Sequence, residues 1–100
     1  MKTLLNRLSI ATGIGDNAPD EPGARVGYRL ARMSKAARQR AEALRRIAIE
    51  DLGSSERADR WLSERVPFLG HRRPIDMMHT RKGTAAVEHT LFNMRHGIYS

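Results

Sequence analysis

Four histidines and a run of arginines are the residues of this 100-residue chain best suited to chemistry. His71, His79, His89 and His96 all lie beyond Trp61. His89 and His96 are seven residues apart, two turns on one helix face, a spacing that can hold a metal if a third ligand joins them. No carboxylate or thiolate stands at ligand spacing beside them, so surface or capping roles fit them better. His96, just before Gly97, suits a helix C-terminus, where the dipole favours a cation. Glu64 and Asp76 are the conceivable acid pair, but each reads better as a charge at a helix end. The chain has no His-Glu-x-x-His, no Gly-x-Ser-x-Gly and no P-loop. Gly13-x-Gly15 is not a dinucleotide fingerprint, because Ala18 stands where its third glycine belongs. These residues predict a protein that is not an enzyme and needs neither metal nor cofactor.

The arginines point to binding. The net charge is +7, and residues 26–50 hold seven Lys or Arg against two acids. Such a stretch attracts an acidic partner, either nucleic acid or an acidic protein surface. Arg38, Arg45 and Arg46 are the candidates for phosphate contacts, which would make binding steeply salt-dependent. A solvated arginine-rich helix face explains the same charge. Residues 1–33 are too broken by Gly and Pro to supply a helix-turn-helix, and no recognition helix stands out.

The elements that position these residues are helical. Hydrophobic residues are 40% of the chain and aromatic ones 5%, so the core rests on aliphatic side chains. The prediction is one small all-α domain of about four to five helices, with a largely irregular N-terminal segment. Residues 1–25 form a flexible or partner-ordered lead-in and residues 26–100 the helical domain. Within the lead-in, Thr3–Ala11 has the pattern of a turn or two of amphipathic helix. Gly13–Gly27 reads as a Gly/Pro linker. Val26–Arg32 is a short helix. Ser34 caps the next one, whose apolar face is Ala37, Ala41, Leu44, Ala48 and Leu52 with Ile47 alongside, while Arg38, Glu42 and Arg45 face away. Gly53 stops it. Ser54 or Ser55 caps a third helix, with Glu56 and Asp59 placed for its dipole and Ala58, Trp61, Leu62 and Arg65 on one face. Pro67 ends that run, and Phe68 and Leu69 plug the core from the corner. Pro74 starts a short helix carrying Ile75, Met77 and Met78. Thr80 caps the last helix, with Val87, Leu91, Met94 and Ile98 as its core stripe, Phe92 off the stripe and Gly97 as its stop. No period-two alternation predicts a sheet. No apolar run approaches the ~20 residues that cross a bilayer, and no secretory signal is present, so a cytoplasmic protein is expected.

The C-terminal block resembles the toxin-binding domain of the Xre/MbcA/ParS antitoxins. The resemblance rests on an ordered set: Ala58-Asp59-Arg60-Trp61-Leu62, Val66-Pro67-Phe68-Leu69-Gly70, Arg73-Pro74-Ile75-Asp76-Met77-Met78, Thr80 and Gly83, Val87 and Leu91, then His96-Gly97-Ile98-Tyr99. It implies a small helical antitoxin that neutralises a RES-domain toxin, an enzyme that degrades NAD or transfers its ADP-ribose to a protein. It implies that Arg95, His96, Gly97, Ile98, Tyr99 and Ser100 block the toxin's active-site entrance. Gly97 would present the last residues as a short plug, with Tyr99 as an anchor. Relatives usually carry an N-terminal promoter-binding region, and the loop-like lead-in here departs from that pattern. The alternative is a DNA-binding autorepressor that uses the arginine-rich helix. A homodimer or a toxin–antitoxin hetero-oligomer is the expected assembly, since pairing would bury Phe92 and the methionine-rich faces.

Overall fold

Prolines, glycines and short polar side chains decide where the helices begin and stop. The structure is a computed structural model, and it describes residues 18–95. Helix α1 spans Pro22–Ala31. Glu21 caps it by accepting the Ala24 N–H at 2.7 Å, and Pro22 fixes the backbone of the first turn. The helix therefore starts earlier than Val26, inside the stretch expected to be linker, and the expected division after residue 25 falls within it. Arg25 and Val26 are both buried. The expected turns at Thr3–Ala11 and the Gly13-x-Gly15 loop lie outside the described residues.

Helix α2 spans Lys35–Leu52. Ser34 Oγ accepts from the Ala37 N–H at 3.2 Å. Gly53 closes the helix at φ 102°, a left-handed conformation that costs a side-chain-bearing residue energy. Ala37, Ala41, Leu44 and Ala48 are buried, as their spacing predicts. Small residues on this stripe let the neighbouring helices come close. Ile47 departs from the expectation: it sits at the margin of the stripe and is 38% exposed.

Helix α3, Ser55–Ser63, starts behind Ser54, whose hydroxyl accepts from the Arg57 N–H at 3.1 Å. Ala58 and Leu62 are fully buried. Trp61 is half-buried and packs on the rim of the core rather than inside it, and Arg65 is exposed. Helix α3 packs against both α1 and α2. Ser63 Oγ donates to the Pro22 carbonyl at 3.2 Å and so ties α3 to the start of α1.

The corner that follows is a single 3₁₀ turn, Pro67–Leu69. Backbone bonds close it: the Val66 N–H donates to the Arg72 carbonyl, and the His71 N–H returns to the Val66 carbonyl, each at 3.0 Å. Gly70 and His71 both adopt positive φ, 70° and 60°. Leu69 is buried as expected, but Phe68 is 61% exposed and does not plug the core. A turn this tight can aim only one of two neighbouring side chains inward.

Helix α4, Pro74–Met77, inserts Ile75, Met77 and Met78 into the core. It packs on α1, where Arg29 Nε lies 2.9 Å from Asp76 Oδ1, an ion pair whose N–H is not aimed at the oxygen. Helix α5, Arg81–Arg95, lies against α2, α4 and the corner. Val87 and Leu91 are its deepest residues, Met94 is half-buried, and Ile98 lies outside the described residues. The chain is all-α. Among the described residues the β pairing is an isolated bridge between Val66 and Arg72, and no helix is long and apolar enough to cross a membrane.

Candidate functional site at the end of the last helix

Helix α5 is held in direction at its final residue. Arg95 Nη1 donates to both oxygens of Asp51, at 3.2 and 3.4 Å. The Arg95 guanidinium also lies over the Phe92 ring, 5.6 Å from its centroid. Asp51 is in the last turn of α2, and its side chain is only 13% exposed. The little-exposed carboxylate thus ties the last turn of α2 to the arginine of α5. A cation at this place also suits the negative end of the α5 dipole.

One turn further in, Ile47 of α2 faces Glu88, Leu91 and Phe92 of α5 across a shallow groove. Asp51 and Arg95 close its lower end. Both helices therefore run in the same direction, and Arg95, the last described residue, lies beside the last turn of α2. Leu91, 1% exposed, forms the floor, while Ile47 and Phe92 form two apolar lips. The site is a groove with an apolar rim that leads to the point where the chain continues past Arg95. The site residues expected beyond that point, His96, Gly97, Ile98, Tyr99 and Ser100, lie outside the described residues.

His71, His79 and His89, and the acids Glu64 and Asp76, do not line this groove. His89 Nε2 is 3.1 Å from Asn93 Nδ2, one turn along α5. His79 Nδ1 lies 3.1 Å from the Asp76 carbonyl, and His71 belongs to the corner. Asp76 serves the Arg29 ion pair, and Glu64 is the exposed C-cap of α3. Among the described residues no cluster of three His, Asp or Glu is arranged to hold a metal.

The three arginines singled out for phosphate contacts have different surroundings. Arg45 does not face freely into solvent as expected. Its Nε and Nη2 donate to the two carboxylate oxygens of Asp59 at 2.7 and 2.9 Å, a bidentate bridge between α2 and α3. The hydrogen bonds it donates to Asp59 hold the guanidinium above its ordinary arginine range, against the opposing effect of burial. Asp59 is buried and acts as the partner of Arg45 rather than as a dipole charge. Arg38 is half-buried and donates to the Met33 carbonyl at 3.3 Å, while Arg46 is exposed. A phosphate reaching Arg45 would have to displace a fixed carboxylate.

Asp51 and Ile47 are the site residues that sequence reasoning missed. Asp51 pairs with a residue 44 positions away, and no local periodicity reports such a contact. Ile47 gave a partial signal, an apolar residue just off the main stripe of α2.

Comparison with known proteins adds one finding. Residues 43–97 match the family model described as the antitoxin Xre/MbcA/ParS C-terminal toxin-binding domain. No curated protein and no solved structure matches the chain. The matched span contains both walls of the groove, the corner and all of α3, α4 and α5.

Proposed function

The chain belongs to the Xre/MbcA/ParS antitoxin family through its toxin-binding domain, and from this we propose that it neutralises a RES-domain toxin in the cytoplasm by occluding its active site. The residues assigned to occlusion are Arg95 through Ser100. The toxin's reaction is consumption of NAD, by breakdown or by ADP-ribosyl transfer, and the antitoxin's part in it is binding, not catalysis. The observation that carries this reading is the reach of the family match, which runs to residue 97 and so includes the end of the last helix. Local geometry supports it. Asp51 and Phe92 hold Arg95 before any partner arrives, so less freedom is lost when the following residues are captured.

The test begins with the gene adjacent to this chain's, which is expected to encode a RES-domain toxin, and proceeds by co-expressing the two. The pair is expected to co-purify, and cellular NAD is expected to stay at the level of cells without toxin. A toxin that continues to consume NAD in the presence of excess full-length chain would overturn the reading.

A further inference from the structure

Two exposed apolar side chains on different helices meet at the groove described above. Ile47 is 38% exposed and Phe92 48% exposed. Single exposed apolar residues are ordinary on a protein surface, but two that converge on one groove form a patch. Ala43, one turn before Ile47 on α2, is also exposed and extends the apolar edge. Glu88 is exposed at the rim, an acid on a chain whose net charge is +7.

We infer that the Ile47–Phe92 groove is a second anchor for the same toxin, separate from the terminal residues that occlude its active site. This rests on the toxin-binding reading above. The toxin is the occupant because the groove is continuous with that interface. It ends at the Arg95–Asp51 pair, from which the occluding residues continue, and both walls fall within the matched toxin-binding span. A protein seated over Arg95 covers Phe92 in the same step, since the guanidinium already lies over the ring. The matching surface on the toxin is an apolar knob with a lysine or arginine opposite Glu88. Two anchors divide the work: the groove supplies residence, and the terminal residues supply inhibition. An aromatic side chain at the centre of a desolvated patch commonly dominates the binding energy of such an interface.

The experiment compares full-length chain with its Phe92→Ala and Ile47→Ser variants, each titrated by calorimetry against the RES-domain toxin proposed above. Thermal unfolding of each free variant is measured alongside, and affinities are compared at a temperature where every variant is folded. The expected result is a loss of affinity of about thirtyfold for Phe92→Ala and a smaller loss for Ile47→Ser. Glu88→Arg is expected to weaken binding as well, and more strongly at low salt. Wild-type binding with unchanged affinity in Phe92→Ala would overturn the second anchor and leave the proposed function standing. A free wild-type dimer that becomes monomeric in Phe92→Ala, with toxin affinity unchanged, would assign the groove to a second copy of this chain and also overturn the inference. Failure of the wild-type chain itself to bind would overturn the proposed function and the anchor together.

Discussion

Gly83 shows how little space separates the last helix from the element before it. The Thr80 hydroxyl accepts the Gly83 N–H at 2.9 Å, and Thr84 Oγ1 lies 2.7 Å from the Thr80 carbonyl and 3.2 Å from that of Met78. A Cβ on Gly83 would collide with the Met77 carbonyl. The obstacle is backbone, so no rotamer change relieves it. Thr80 and Gly83 thus form one device that starts α5 and docks it on α4. Gly83→Ala should cost about 3 kcal/mol of stability, read as a lower urea midpoint at unchanged slope. The Arg45–Asp59 pair gives a prediction with an asymmetry. The Arg45 side chain is 30% exposed and that of Asp59 only 11% exposed. Arg45→Ala leaves a carboxylate with little access to water, whereas Asp59→Ala leaves an arginine that can turn outward. Arg45→Ala should therefore destabilise by about 2–3 kcal/mol and Asp59→Ala by less, in parallel denaturant titrations. Arg45 is raised above its ordinary range in the folded chain. Its contribution is fully present below that range and lost only as pH rises through the raised value. The arginine therefore adds no slope to stability across about pH 6 to 9.

At the scale of elements, what was legible in the sequence follows the distance over which each device acts. Ser34, Ser54 and Thr80 act on an N–H three residues away, and Gly53 and Pro74 act on their own backbones. All of these could be read directly. The start of α1 could not, because glutamate is an uncommon cap and the surrounding Gly and Pro residues resemble a loop. Phe68 failed for a different reason. An apolar residue in a turn does not reveal its direction, which here is set by backbone bonds between Val66 and Arg72. The two neighbours in that turn should respond oppositely to truncation. Leu69→Ala should cost about 2–3 kcal/mol, while Phe68→Ser should stay within about 0.5 kcal/mol, both measured by thermal unfolding. The candidate site was legible in its order along the chain and not in its geometry. The motif residues from Ala58 to Tyr99 pointed to the toxin-binding domain, and the family match over residues 43–97 bears that family out. The clamp of Asp51 on Arg95 joins residues 44 apart, and the pair of Arg45 with Asp59 joins residues 14 apart. Spacing rules for one helix are blind to both.

The whole molecule is a small core with one end prepared for a partner. Leu62, Ile75, Met78, Val87 and Leu91 fill the centre from α3, α4 and α5, while the alanine stripe of α2 closes one side and Val26 of α1 another. α2 and α5 run side by side, with the Arg95–Asp51 pair joining the last turn of α2 to the last described residue of α5 and the Ile47–Phe92 groove beside it. On the proposed function, scaffold and working end meet at Arg95, the last described residue. The most direct measurement of that claim is NAD consumption by the RES-domain toxin proposed as its partner, titrated with full-length chain and with a chain lacking Ile98–Ser100. The account predicts that the shortened chain keeps its unfolding midpoint and still binds the toxin but requires at least about tenfold more protein for the same inhibition. Full neutralisation by the shortened chain at the wild-type ratio would contradict it.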